Sequence, residues 1–285
     1  MTSADAAPGP GGRADVWRRT DAGSCVPRSH RLRAFVVAVL VASLAVGCST
    51  SSAGGAGPDG SAAAGSTVTV LAAASLSEAF SDLAAQYESE HPGVRVRVSF
   101  GSSAKLAQQV AQGAPADLVA LAGTAVLAQL PKEAQDPTHR TIVARNVLEV
   151  ATPPDDAAGV SGLADLARPD VAVVLCVETA PCGSAADEVL GRAGVTPNVV
   201  SREVDVRSTL AKIALGEADA AIVYHSDVVT ARGRVRGVPI PAALNTTLDY
   251  PLVRLTDDVH PTAFAALVSS PAGEAALVDA GFLAP

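Results

Sequence analysis

The sequence predicts an α/β fold of mostly parallel sheet with helices on both faces, and three observations predict it. Short Val- and Leu-rich runs alternate with segments whose apolar residues recur at helical spacing. Breakers such as His91-Pro92-Gly93 and Gly113 stand between those segments. The 285 residues, 48% hydrophobic and only 3% aromatic, hold enough core for one large domain or two lobes.

Val68, Val70 and Leu71 form the first buried strand. Leu76, Ala79, Phe80, Leu83, Ala84 and Tyr87 then follow helical spacing, so the strand feeds a helix through Ala-Ala-Ala-Ser. This places Ser75 at a helix N-cap, with Glu78 completing the capping-box pattern. Backbone N–H groups without an intrahelical partner and the positive end of the helix dipole make such a turn a potential anion seat. Simple capping satisfies the same pattern, so this junction alone leaves both readings open. Val94, Val96, Val98 and Phe100 alternate with Arg95, Arg97 and Ser99 as a half-exposed strand. A helix follows, with Leu106, Ala107, Val110 and Ala111 on one face and Gly113 beyond its end, and then a strand from Asp117. Further strands are expected at 147–151, 171–176, 199–204, 220–224 and 251–255, with helices between most of them. Pro261 and Pro271 suit first helical turns, and Gly281 suits a helix stop. No internal repeat is visible.

The start of the chain is of another kind. Residues 1–33 are polar and basic, ending in His30-Arg31-Leu32-Arg33, and 34–47 are an apolar run closed by Cys48. That run is short for a bilayer span and is flanked like a secretory signal. Its end, Leu44-Ala45-Val46-Gly47-Cys48, resembles the bacterial lipoprotein processing box, with Ala45 where Leu is usual. The resemblance implies a signal peptide over 1–47 and a lipid on Cys48 as an anchor to the cell membrane; an ordinary signal peptide or a single-pass helix is the other reading. A translation start at Val26 would give a leader of ordinary length. Residues 48–66, rich in Ser, Gly and Ala, have the composition of a flexible tether.

The formal charge is −8, and the part before Cys48 carries six Arg against Asp5, Asp15 and Asp21, so the remainder is more acidic than the whole. Such a surface disfavours nucleic acid and anionic headgroups, and any anion must be held by local dipoles. The four cysteines, at 25, 48, 176 and 182, lack metal-like spacing with His, so no bare metal cation is expected. No G-x-S-x-G elbow surrounds any Ser, and neither serine-bearing junction has a nearby His to serve as base, which argues against an exported hydrolase.

The second strand-to-helix junction, Phe100-Gly101-Ser102-Ser103-Ala104, repeats the chemistry of the first, and in open α/β sheets ligands collect at the carboxyl ends of strands. Ala73-Ala74-Ser75-Leu76, Ser102-Ser103, Gly113-Ala114-Pro115-Ala116-Asp117 and Ile222-Val223-Tyr224-His225-Ser226-Asp227 occur in this order. Together they resemble the extracytoplasmic solute-binding proteins of molybdate ABC transporters, the ModA family, over roughly 67–283. The resemblance implies two lobes, each a mostly parallel sheet flanked by helices and joined by a hinge, like the type II periplasmic binding proteins. One lobe is expected over 67–145 plus 250–285 and the other over 146–249. It implies a monomer that is not an enzyme, has no cofactor, carries molybdate or tungstate, and meets an ABC permease in the membrane. Position by position it implies hydroxyl and amide contacts from Ser75 and Ser103, backbone N–H from Cys182 and Val206, and a phenol from Tyr224. Cys182 stands where the family often has Ala. By themselves, Tyr224 also fits a sheet-end aromatic and Val206 plain packing. Arg207 and Lys105 are expected to face solvent or structural partners, and Glu78 to turn outward. Cys176 and Cys182 share one connection in an exported chain, where a disulfide between them would persist; two free buried thiols are the alternative. A binder of another oxyanion such as sulfate is the nearest rival function.

Overall fold

The computed structural model describes residues 65–285; the signal peptide over 1–47, the lipidation site Cys48 and nearly all of the tether lie outside the described residues. Ser66, assigned to the tether from composition, already belongs to the first strand.

Strand β1 (Ser66–Ala73) carries its apolar residues into the core and runs, through a 3-10 turn at Ala74–Leu76, into α1 (Ser77–Glu90). β2 (Val94–Gly101) pairs parallel with β1 and hands over to α2 (Ser103–Ala111). β3 (Leu118–Ala120) lies parallel on the other side of β1. The 13-residue β4 (Arg140–Thr152) comes next, then β5 (Val173–Cys176), α3 (Pro181–Ala193), β6 (Val199–Glu203), α4 (Val206–Ala214), β7 (Ala220–Tyr224) and α5 (His225–Thr230). β8 (Arg236–Pro239), β9 (Thr247–Arg254), α6 (Val259–Val268) and α7 (Pro271–Asp279) complete the described chain.

The strands are ordered β2-β1-β3-β9-β4-β7-β5-β6, with β8 also paired to β4. β4 changes company along its length. Its first part, Arg140 to Val147, runs antiparallel to β9, and its remainder, from Leu148, runs antiparallel to β7 and β8. One half of the sheet is therefore β2-β1-β3-β9 against the start of β4, and the other is the end of β4 against β7-β5-β6. Within each half the pairs β1–β2, β1–β3, β5–β6 and β5–β7 are parallel, as the alternation of strands and helices requires. The antiparallel strand β4, paired with β9 at its start and with β7 and β8 at its end, is the one that joins the halves.

The C-terminal helices return to the first half. Phe264 of α6 meets Phe80 and Tyr87 of α1 edge-to-face, with ring centroids 6.4 and 5.5 Å apart. Pro271 opens α7 behind Ser270, whose hydroxyl accepts the Gly273 N–H. Gly281 has φ +87, the left-handed stop that glycine adopts at least cost.

Candidate functional site

Each strand-to-helix junction leaves first-turn N–H groups that its own helix cannot use. At the carboxyl ends of β1, β2, β5 and β7, and at the start of α4, these junctions meet around one small cavity. It is lined by Ala73, Ala74 and Ser75; Gly101, Ser102 and Ser103; Ala122; Ala180, Pro181 and Cys182; Asp205 and Val206; and Tyr224. All five residues singled out for ligand contact, Ser75, Ser103, Cys182, Val206 and Tyr224, are brought together here, each no more than 4% exposed. Among the described residues no lysine or arginine lines it. The one charged lining residue, Asp205, caps α4 by accepting the Ser208 N–H at 2.9 Å.

Ser75 differs from its sequence expectation. It is not an N-cap, because a 3-10 turn precedes α1, the N-cap residue is Leu76 and no side chain caps the helix. The Ser75 hydroxyl instead lies 3.0 Å from the Tyr250 hydroxyl of β9. Tyr250 in turn faces the Asn146 amide at 3.5 Å, and Asn146 donates to Ser226 Oγ at 2.7 Å. A Tyr250 hydroxyl that donates to Ser75 leaves the Ser75 proton free for the cavity. Ser103 is arranged to the same end: its Oγ accepts the Ala122 N–H at 2.8 Å, so its own proton remains available.

On the other wall, Cys182 is the second residue of α3, behind Pro181, and Val206 is the first of α4. Cys182 is bonded to Cys176 at the end of β5, tying the helix start to its strand. The next residue must be glycine: a Cβ on Gly183 would sit 2.1 Å from the Val177 carbonyl oxygen. Tyr224 ends β7, and its hydroxyl is the one buried side-chain polar atom among the described residues without a hydrogen-bond partner. Burial raises its phenol well above the usual range, so it stays a neutral donor. Asp227 accepts the Tyr224 N–H at 3.0 Å. Burial pushes its carboxyl up to about 7, against the opposing effects of that hydrogen bond and the Arg207 charge.

Arg207 and Glu78 meet at the edge of the site. Arg207 Nη1 reaches Glu78 Oε1 at 2.5 Å and Ser77 Oγ at 2.8 Å, which gives Arg207 the structural partner expected of it. Glu78 turns away from the cavity toward that guanidinium. Lys105 is exposed and does not line the cavity. His225 bonds Glu149 at 2.7 Å and stays outside as well. Among the described residues no cluster of three or more His, Cys, Asp or Glu could hold a metal ion, and no helix is long and apolar enough to cross a membrane. The neutral O–H and N–H donors suit a small, fully deprotonated anion.

Tyr250, Asn146 and Ala122 were not visible as site residues in the sequence. Their roles rest on contacts 19 to 175 residues apart along the chain, for which local spacing carries no signal.

Residues 68–283 match the family model described as bacterial extracellular solute-binding protein. The molybdate-binding protein ModA of Mycobacterium tuberculosis is 35% identical over 254 residues, 88% of this chain and 97% of that protein. ModA of Escherichia coli is 34% identical over 65% of this chain and 76% of its own length. Among solved structures, the substrate-binding domain of a putative molybdenum ABC transporter from Clostridium difficile superimposes with a TM-score of 0.59 at 28% identity, covering 77% of this chain and 99% of that one.

Proposed function

The chain belongs to the bacterial extracellular solute-binding proteins and, among them, to the ModA family, and from that premise we propose that it captures molybdate or tungstate outside the cytoplasm for an ABC importer. Its relatives are solute-binding proteins and not enzymes. The observation that carries the reading is the Tyr224 hydroxyl, buried and without a hydrogen-bond partner among the described residues, lining a cavity together with Ser103, whose oxygen already accepts the Ala122 N–H, and Ser75, whose hydroxyl pairs with that of Tyr250. A buried unpaired hydroxyl is costly unless something else accepts its proton, and a tetrahedral dianion does.

In this reading Ser75 and Ser103 give hydroxyl and amide contacts from one lobe, 67–145 plus 250–285. Cys182 and Val206 give N–H groups, and Tyr224 its phenol, from the other lobe, 146–249. Molybdate and tungstate carry no proton at neutral pH and need donors only. Each hydrogen bond to the charged ligand contributes roughly 1.5–3 kcal/mol, so half a dozen suffice for tight binding after ordering costs. The protein works as a monomer and has no cofactor of its own. β4, which runs from one half of the sheet into the other, is the hinge, and the closed form is what the permease reads. A lipid on Cys48 and a tether over 48–66 keep the binder at the membrane. Isothermal titration of the purified protein with molybdate, tungstate, sulfate and phosphate tests the assignment. Heat with the first two and none with phosphate is expected; equal affinity for sulfate would move the function to a general oxyanion binder.

A further inference from the structure

We propose that Arg207 and Glu78 form a latch across the cavity, joining the wall that carries Ser75 to the wall that carries Val206 and slowing release of the bound anion. The latch rests on the oxyanion reading above. Its geometry is independent of any ligand.

Arg207 immediately follows Val206 in the first turn of α4, and Glu78 lies three residues beyond Ser75 in the first turn of α1. The guanidinium donates to Glu78 Oε1 at 2.5 Å and to Ser77 Oγ at 2.8 Å, and Ser77 donates onward to Glu78 Oε2 at 2.8 Å. Three side chains thus close a ring of contacts between two helix starts that each present a donor to the cavity. Among the eleven ion pairs of the described residues, this is the one that joins α1 to α4. Any motion that separates Ser75 from Val206 must break it.

The pair has a second consequence. A carboxylate beside the first turn of α1 opposes an incoming dianion, and Arg207 cancels that charge while it is latched. The two effects separate by mutation. Removing the carboxylate alone eliminates the repulsion along with the latch, so a purely electrostatic role predicts tighter binding by Glu78→Gln, and a latch predicts weaker binding.

The pair is about one-third exposed on each side, so its effect is modest: about a two- to fivefold change is expected of such a contact. The experiment measures molybdate affinity by titration calorimetry and dissociation by stopped-flow tyrosine fluorescence for the parent protein, Arg207→Gln, Glu78→Gln and the double variant. It adds the radius of gyration of each anion-free protein by X-ray scattering. Both single variants are expected to release molybdate about two- to fivefold faster, with the double variant no worse than either, and all three are expected to be more expanded without anion. Faster release by Arg207→Gln with slower release by Glu78→Gln would overturn the latch in favour of simple charge cancellation. Unchanged release in both would overturn it outright. If the parent protein gives no heat with molybdate, the oxyanion reading fails instead, and scattering alone judges the latch: equal radii for parent and variants overturn it.

Discussion

The two walls of the cavity do similar work by different means. The wall built from β1, β2 and their helices offers side-chain hydroxyls, Ser75 and Ser103, each oriented by a partner from elsewhere: Tyr250 for one and the Ala122 N–H for the other. The wall built from α3 and α4 places two helix starts at the cavity, with Cys182 and Val206 in their first turns, so that in the proposed reading main-chain N–H groups make the contact and the side chains are incidental. The difference teaches where the sequence is free to vary. Under the proposed function, residue identity carries binding on the hydroxyl wall. On the amide wall the position of the helix carries it, and almost any residue that keeps the helix in place will serve.

The largest test of that contrast is the pair Ser75→Ala and Ser103→Ala. Each removes a hydrogen bond to a charged ligand, worth about 1.5–3 kcal/mol, so each single variant is expected to weaken molybdate binding on the order of ten- to a hundredfold by calorimetry. The double variant is expected to lose more affinity than either and also to melt lower, because Ser103→Ala leaves the buried Ala122 N–H, and Ser75→Ala the Tyr250 hydroxyl, without that partner. A loss confined to a few-fold would move the burden of binding to the amide wall.

A second test uses Asp227, a buried carboxyl in the first turn of α5 that accepts the Tyr224 N–H. The folded protein holds the Asp227 proton up to about pH 7, whereas an unfolded Asp releases its proton near 4. Between those values the unfolded state binds fewer protons, so this residue's contribution to stability is fully present below about pH 4 and is lost as pH rises toward 7. Asp227→Asn, which stays neutral, is expected to gain on the parent as pH rises from about 4 to about 7, with a small difference in melting temperature at pH 4.5 and several degrees at pH 8 by calorimetric scanning. Parallel pH profiles for the two proteins would show that Asp227 is ionised throughout.

The smallest expected effect is the sharpest for the comparison. Val206→Ala keeps the N–H and the Asp205 cap of α4, so molybdate affinity is expected to stay within about twofold, although burial of less apolar surface lowers stability by about 1–2 kcal/mol. A tenfold loss of affinity would show that the Val206 side chain, and not its amide, shapes the site.

Much of this arrangement was legible in the sequence because it depends on local pattern. The helical spacing from Leu76 to Tyr87, the alternation from Val94 to Phe100 and the apolar run at Ala220–Tyr224 each place a strand or helix correctly. Ordered short motifs hold Ser75, Ser103 and Tyr224, and the family resemblance they carry adds Cys182 and Val206; all five line one cavity. What could not be read depends on contacts distant in sequence. Ser75 with Glu78 satisfies the capping-box spacing, yet the backbone forms a 3-10 turn there and the hydroxyl is taken by Tyr250, 175 residues away. The strand expected at 147–151 is the second part of β4. Its first part, with Arg140, Arg145 and Asn146 among its residues, lacks a continuous apolar run and becomes a strand because β9 is there to pair with it. Strand β8, which contains Gly237 and only four residues, carries no pattern of its own and exists by pairing with β4.

The position of β9 constrains how such a molecule comes into being. β3 is flanked by β1 on one side and by residues 252–254 on the other, more than 130 positions later, and α1 finishes burying its aromatic face only against Phe264. The half of the sheet that is synthesised first is therefore the half that must wait for the end of the chain before its edges are closed. Contacts of such long sequence separation form slowly, so the β1–β3 half, although first in the chain, is completed only when the residues of β9 and α6 reach it. Anything that delays or removes those C-terminal elements leaves β3 with an open edge and α1 with an uncovered aromatic face.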